Sequence, residues 1–163
     1  MEKFTNLVNK VLAAMCVALC SILVCCVVWQ VFSRYILNTP STYTDEMARF
    51  LFIWVGLIGA AYALGQKKHL AIDLLATKLE NSPAQLLQLT LIINLVSIFF
   101  VLSIMCYGGI NLVQDTIANG QISPVLGVQM GLVYLAIPIS GFFMLFYLCQ
   151  DLISHLKKLK RIK

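Results

Sequence analysis

The chain has 163 residues, of which 60% are hydrophobic, with a mean hydropathy of +0.88 and a net charge of +5. A water-soluble domain carries about 45–50% apolar residues, so this composition excludes an ordinary soluble core and makes the bilayer the expected solvent. The positive balance could suggest nucleic acid, but no basic patch is interleaved with exposed aromatics and the lysines and arginines flank apolar runs; membrane lipid is the expected contact, and nucleic acid is not.

Residues 1–10 place Phe4, Leu7 and Val8 on one helical face and Glu2, Lys3, Asn6 and Lys10 on the others, the pattern of a short interfacial helix. An uncharged run from Val11 to Ser33 follows, giving a first span of about 11–36. A secretory signal is the rival reading, but its apolar region is roughly 7–15 residues and no small-x-small cleavage site follows here, so the helix is expected to stay attached. Trp29, Phe32 and Tyr35 around Arg34 resemble an interfacial belt from which an arginine snorkels to water.

Asn38-Thr39-Pro40-Ser41 reads as a tight turn, because proline cannot continue a helix and biases the residue before it away from helical angles. The second span is expected over 44–65. Thr42 and Asp45 have capping-box spacing, and Asp45 and Glu46 suit the positive end of a helix dipole. Arg49 lies within helical reach of both carboxylates, and Arg34 arrives at the same depth from the antiparallel neighbour. These four charges sum to zero and suggest one partly buried charge network or a subunit interface. Beyond Trp54, Gly56 with Ala60 and Gly59 with Ala63 repeat at four-residue spacing, a shallow groove in which another helix, of this chain or of a partner, could pack closely.

Residues 67–80 alternate Leu70, Leu74 and Leu75 with His69, Asp73, Thr77 and Lys78, as in an amphipathic helix lying on the membrane surface. His69 and Asp73 have the spacing for a hydrogen bond; a surface pair fixing this helix is favoured over a proton relay, because catalytic groups usually converge in a water-excluded cleft. The third span, about 86–110, holds Asn94, Ser97 and Ser103 for a few interhelical hydrogen bonds and ends near Tyr107-Gly108-Gly109. A connection through Ser123-Pro124-Val125-Leu126-Gly127 leads to the last span, about 131–150, where Pro138 should bend the helix near mid-membrane. A basic tail, about 151–163, completes a single all-α membrane domain of four spans.

Ten of the twelve Lys and Arg residues fall in three segments on one side of such a bundle: residues 1–10, 67–80 and the tail. Positive flanks stay in the cytoplasm, so both termini are expected there. The six cysteines lie in or beside apolar runs without Cys-x-x-Cys spacing and read as packing residues, with a Cys16–Cys20 thiol pair as the less favoured alternative. No Asp, Glu, Lys, Arg or His falls in the middle of a span, where a carrier commonly binds cargo or an ion. The two histidines, His69 and His155, sit at membrane edges, unlike the inward-facing ligands of a membrane haem protein. With no nucleophile and base, phosphate loop or metal cluster visible, the residues argue for a non-catalytic membrane subunit without a cofactor.

Trp29, Ser33-Arg34-Tyr35, Asp45-Glu46 with Arg49, Leu51-Phe52-Ile53-Trp54, Gly56 through Gly59-Ala60-Ala61, His69 with Ile72-Asp73, and Ser123-Pro124-Val125-Leu126-Gly127 followed by Pro138 come in an order that resembles the small membrane subunit, DctQ type, of TRAP transporters. The resemblance covers almost the whole chain. It implies a bacterial inner-membrane system driven by sodium, with a periplasmic substrate-binding protein, a large multi-span subunit that moves the cargo, and this small scaffold docked on the large subunit. Sodium and substrate, an organic acid such as a C4-dicarboxylate, sialic acid or a sugar acid, would be bound by the larger partner. A four-span sensor or assembly factor is the alternative, and a self-contained small transporter a third.

Overall fold

In the computed structural model, which describes residues 2–66 and 83–162, the first helix, α1 (Glu2–Tyr35), runs without interruption. Residues 2–35 contain neither glycine nor proline. With no residue to break the ladder, the expected separate interfacial helix over 1–10 is fused to the first span. Thirty-four residues at ~1.5 Å each make a rod of about 51 Å, longer than a ~30 Å hydrocarbon core, so α1 projects beyond the core or tilts within it.

The turn to α2 (Thr42–Gly65) is built on Ser33, which is 2% exposed. Its carbonyl accepts the Thr39 N–H at 3.1 Å, its hydroxyl oxygen accepts the Ser41 N–H at 3.3 Å, and the hydroxyl itself donates to Gln30 O at 3.0 Å. Asn38 takes the left-handed conformation, φ 52°, which asparagine tolerates better than most residues. Ser41, not Thr42, is the N-cap, and it makes no side-chain cap bond. The capping box expected from Thr42 and Asp45 therefore does not form: Thr42 is already helical, and the Asp45 carboxylate is engaged elsewhere.

The third helix, α3, joins Pro83–Phe100, a π-helical stretch Val101–Gly108 and Gly109–Ala118. It passes through Gly108 and Gly109, where the sequence suggests an end, and stops at Ala118. A Cβ at Gly109 would stand 2.9 Å from Ile137 Cγ2 and 3.1 Å from Pro138 Cδ, so this glycine permits a close helix crossing instead of breaking the helix. Ser103, expected to bridge helices, donates to Phe99 O of its own helix at 2.7 Å, as Ser and Thr do when they satisfy a locally displaced backbone. Asn94 is 7% exposed, and its Oδ1 meets no donor among the described residues.

A short α4 (Met130–Tyr134) is followed, after Leu135, by α5 (Ala136–Ile162). Pro138 has no N–H for the Tyr134 carbonyl. The break consequently falls at Leu135, close to the start of this last span, and not at mid-membrane.

The helices pack in the order α1, α2, α5, α3, with α5 touching both α2 and α3. One core joins Leu12, Ile58 and Tyr147 to Trp54, Tyr62 and Phe143; another joins Val101, Met105, Cys106 and Leu148 to Leu57, Leu64 and Met144. Because lipid tails are as apolar as these side chains, close packing rather than transfer from water holds such helices together. Small residues mark the contacts: besides Gly109, a Cβ at Gly141 would approach Met105 Cβ to 3.0 Å, and one at Gly65 would overlap the Tyr147 ring. The outward faces are apolar in compensation, as at Val17, Phe52 and Phe99, which is the expected inversion for a protein solvated by hydrocarbon. Among the described residues, α1, α2, α3 and the joined α4 and α5 are each long and apolar enough to cross a membrane.

Candidate functional site

The polar chemistry gathers at the end of the bundle that holds the α1–α2 turn and the loop 119–129. That loop is a small hairpin. Ile122 and Gln129 pair as an antiparallel bridge, the Ser123 N–H donates to Val128 O at 2.8 Å, and the Gly127 N–H donates to Ser123 O at 3.1 Å. Gly127 has φ +66°, a conformation that costs an L-residue with a Cβ ~1–2 kcal/mol. Pro124 begins the tip, and the fixed turn leaves the N–H groups of Val125 and Leu126 pointing the same way.

Glu46, in the first turns of α2, fills that concavity. Its Oε2 accepts the Leu126 N–H at 2.8 Å and the Val125 N–H at 3.2 Å. The Ser123 hydroxyl, on a residue 1% exposed, donates to the same carboxylate while its oxygen accepts the Leu126 N–H at 3.2 Å. Consecutive backbone N–H groups with a hydroxyl form a receptor for an anion, occupied here by a side chain of the same chain.

Asp45 binds a different pair of partners. Its Oδ1 accepts Gln30 Nε2 from α1 at 2.7 Å, and its Oδ2 accepts an Arg49 guanidinium N–H from the next turn of α2. The Arg49 side chain is 74% exposed, so this ion pair is a surface feature and contributes little by itself. The four charges expected as one network are thus divided. Asp45 and Arg49 meet; Glu46 turns away from Arg49 to the loop; Arg34 is exposed and, among the described residues, forms no ion pair. Two carboxylates adjacent in sequence tie α2 in opposite directions, one to α1 and one to the loop that feeds α5.

At the other end of the bundle, Tyr147 OH donates to Asn9 Oδ1 at 2.5 Å, and Thr5 and Gln150 exchange hydrogen bonds at 3.2 and 3.0 Å. These bonds hold α1 against α5. Sequence reasoning missed them, together with Gln30 and the contact between Ser123 and Glu46. Gln30 carried a readable signal, as an amide inside an otherwise apolar stretch. Ser123 did not.

Of the remaining residues singled out in the sequence, Trp54 packs inside the bundle. Gly56, Gly59, Ala60 and Ala63 lie on the face of α2 that the other helices leave open, and a Cβ at Gly56 or Gly59 would meet nothing within 4 Å. His69 and Asp73, with the amphipathic segment 67–80, lie outside the described residues. All six cysteines are free thiols, with Cys26 Sγ 3.7 Å from Met47 Sδ across the α1–α2 contact. Among the described residues, no three metal-liganding side chains converge.

The sequence matches the family model described as tripartite ATP-independent periplasmic transporters, DctQ component, over residues 23–158. It is 26% identical over 155 residues to a Haemophilus influenzae protein named for the small permease of a TRAP transporter, covering 94% of this chain and 92% of that one. It is 25% identical over 160 residues to the sialic acid TRAP transporter small permease protein SiaQ of Vibrio cholerae, covering 98% and 89% respectively. A third relative, the isethionate TRAP transporter permease protein DctMQ of Oleidesulfovibrio alaskensis, is 26% identical over 117 residues, 72% of this chain but 18% of that protein, so a segment similar to this one is there part of a much longer polypeptide. These small permeases are components of transporters and not enzymes. A multi-pass α-helical membrane protein whose matched region takes in the later part of the first span and the whole of the other three, this chain belongs to the DctQ family of TRAP transporter small permease subunits.

Proposed function

We infer that this chain is the non-transporting scaffold of a sodium-coupled TRAP system in the bacterial inner membrane, with both termini in the cytoplasm, and that the system imports an organic anion delivered by a periplasmic binding protein. The observation that carries the reading is the family match over 23–158, supported by the relative in which a segment similar to this chain is continuous with a larger permease. The geometry suits a scaffold. The ionisable Asp, Glu, Lys, Arg and His side chains lie towards the ends of the spans, and the Asp45 and Glu46 bonds fix the relation of α1, α2 and α5 at one end. The open small-residue face of α2 at Gly56, Gly59, Ala60 and Ala63 is the surface offered to the large subunit, because backbones approach most closely where side chains are short.

Sodium and cargo belong to that partner, and this subunit has no cofactor. Relatives named for sialic acid and isethionate share an anionic cargo, and a small organic acid is the class proposed here. Affinity purification of the tagged full chain from its native membrane tests the assignment. A large multi-span protein should co-purify in stoichiometric amount; recovery of the chain without one, under conditions that keep other membrane complexes whole, would contradict it.

A further inference from the structure

Beside the Asp45–Arg49 pair, α1 and α2 enclose an open groove of about 700 Å³ that the scaffold role does not use. Val24, Val27 and Val28 of α1 and Phe52 of α2 form its walls, Ala48 its floor, and Asp45 and Arg49 its polar end. The relief follows from side-chain size: Ala48 is 8% exposed, whereas Val28 and Phe52 stand beside it at 62% and 69%. From Asp45 to Ile53 the groove follows about 12 Å of helix at ~1.5 Å per residue, running from the charged end into the apolar span.

We propose that this groove is a binding site for one diacyl phospholipid whose zwitterionic head group ends in a primary ammonium. The apolar floor and walls take an acyl chain, the Arg49 guanidinium donates to the phosphate, and the Asp45 carboxylate accepts from the ammonium. Each group has capacity left. Arg49 has N–H donors beyond the one given to Asp45, and each Asp45 oxygen has a lone pair beyond those used by Gln30 and Arg49. An adjacent cation and anion above an apolar trough complement a zwitterion.

The other charges at this level, Arg34 on α1 and Glu46 on α2, cancel, so the site has no net charge to attract an anionic lipid. A quaternary ammonium cannot donate to Asp45 and is the poorer ligand. Shape also favours a lipid over a partner helix. An acyl chain, far thinner than a helix about 10–12 Å across, suits a trough walled by single side chains of two adjacent helices. The proposal requires only that the chain sits in a bilayer, not that it serves a transporter.

The test is native mass spectrometry of the purified full chain in mild detergent, after exchange into phosphatidylethanolamine, phosphatidylcholine or phosphatidylglycerol of the same acyl composition. One phosphatidylethanolamine per chain should survive, with retention of the other two lower by on the order of tenfold, the difference one charge-assisted contact makes. Val27→Trp, which fills the groove, should abolish the adduct, whereas Val96→Trp on the exposed face of α3 should not. Asp45→Asn, on a partly exposed side chain, decides the matter should Val27→Trp fail to fold: it should remove the preference over phosphatidylcholine, because the carboxylate that accepts from the primary ammonium is gone. Equal retention of the three lipids, an adduct that survives Val27→Trp in folded protein, or an unchanged preference in Asp45→Asn would overturn the proposal. So would cross-linking of the Val27→Cys variant to a partner helix in the assembled complex together with loss of the lipid.

Discussion

Glu46 Oε2 and the Leu126 N–H are 2.8 Å apart although 80 positions separate the two residues, and this bond, with those from Val125 and Ser123, fastens the loop 119–129 to the start of α2. Glu46→Ala removes the acceptor for all of these donors, whereas Glu46→Gln keeps an uncharged one. Amide hydrogen exchange at Val125 and Leu126 should therefore accelerate strongly in Glu46→Ala and to an intermediate degree in Glu46→Gln. Gly127→Val should loosen the same loop from the other side, because φ +66° costs a residue with a Cβ ~1–2 kcal/mol and valine more than most. Unchanged protection in Glu46→Ala would mean that the loop holds its shape without the carboxylate.

Charge reversal separates the two carboxylates. Sequence spacing alone suggests that exchanging Glu46 and Arg49 would restore a broken pair. The structure pairs Arg49 with Asp45, and a lysine at 46 would face N–H donors. The double variant Glu46→Lys with Arg49→Glu should be no more stable in detergent than Glu46→Lys alone, while Asp45→Arg with Arg49→Asp should recover part of the loss caused by either single change. Thermal unfolding midpoints of the six proteins check this, and recovery in the first pair would restore the Glu46–Arg49 contact.

The glycines divide into those that close this fold and those that face outward. Gly109→Leu drives a side chain into Ile137 and Pro138, an overpacking that costs about 1–3 kcal/mol or more, and should lower the thermal stability of the isolated chain. Gly59→Leu enters open space, so the isolated chain should unfold at an unchanged temperature while its recovery with the large subunit falls. Leu57→Ala, inside the bundle, should show the reverse pattern. Normal co-purification of Gly59→Leu would turn that face to lipid.

Orientation has its own readout. A reporter active only in the cytoplasm should work when fused after Lys163 and fail when inserted at Asn119, because ten of the twelve Lys and Arg residues lie in the three segments assigned to the cytoplasmic side. The opposite pattern would invert the bundle.

The spans and the α1–α2 turn were legible because a bilayer demands long apolar runs and Pro40 punctuates them. The limits of the helices were less so. Gly108 and Gly109 read as a stop, yet their missing side chains serve the crossing with α5, a use that depends on a helix still distant in sequence. The π-helical stretch Val101–Gly108 carries no composition that distinguishes it from ordinary apolar helix. At the site, Asp45, Glu46, Arg34 and Arg49 were visible as charges in an apolar chain, but the partners of Glu46 were not. They are chiefly backbone N–H groups, which every residue but proline possesses, and only the fold selects those of Val125 and Leu126. The ties at the opposite end of the bundle, from Asn9 to Tyr147 and from Thr5 to Gln150, were hidden for a related reason, since neutral polar side chains near helix ends are common and helix rotation decides which of them meet.

As the proposed scaffold, this chain is required for transport without itself carrying cargo or ion, and uptake by reconstituted vesicles tests that role. Proteoliposomes would contain this chain alone, the large subunit alone, or both, with the binding protein and a labelled organic acid outside and an inward sodium gradient imposed. Sodium-dependent uptake is expected only where both membrane subunits are present. Robust uptake by vesicles holding this chain alone, or undiminished uptake by the large subunit without it, would overturn the scaffold role.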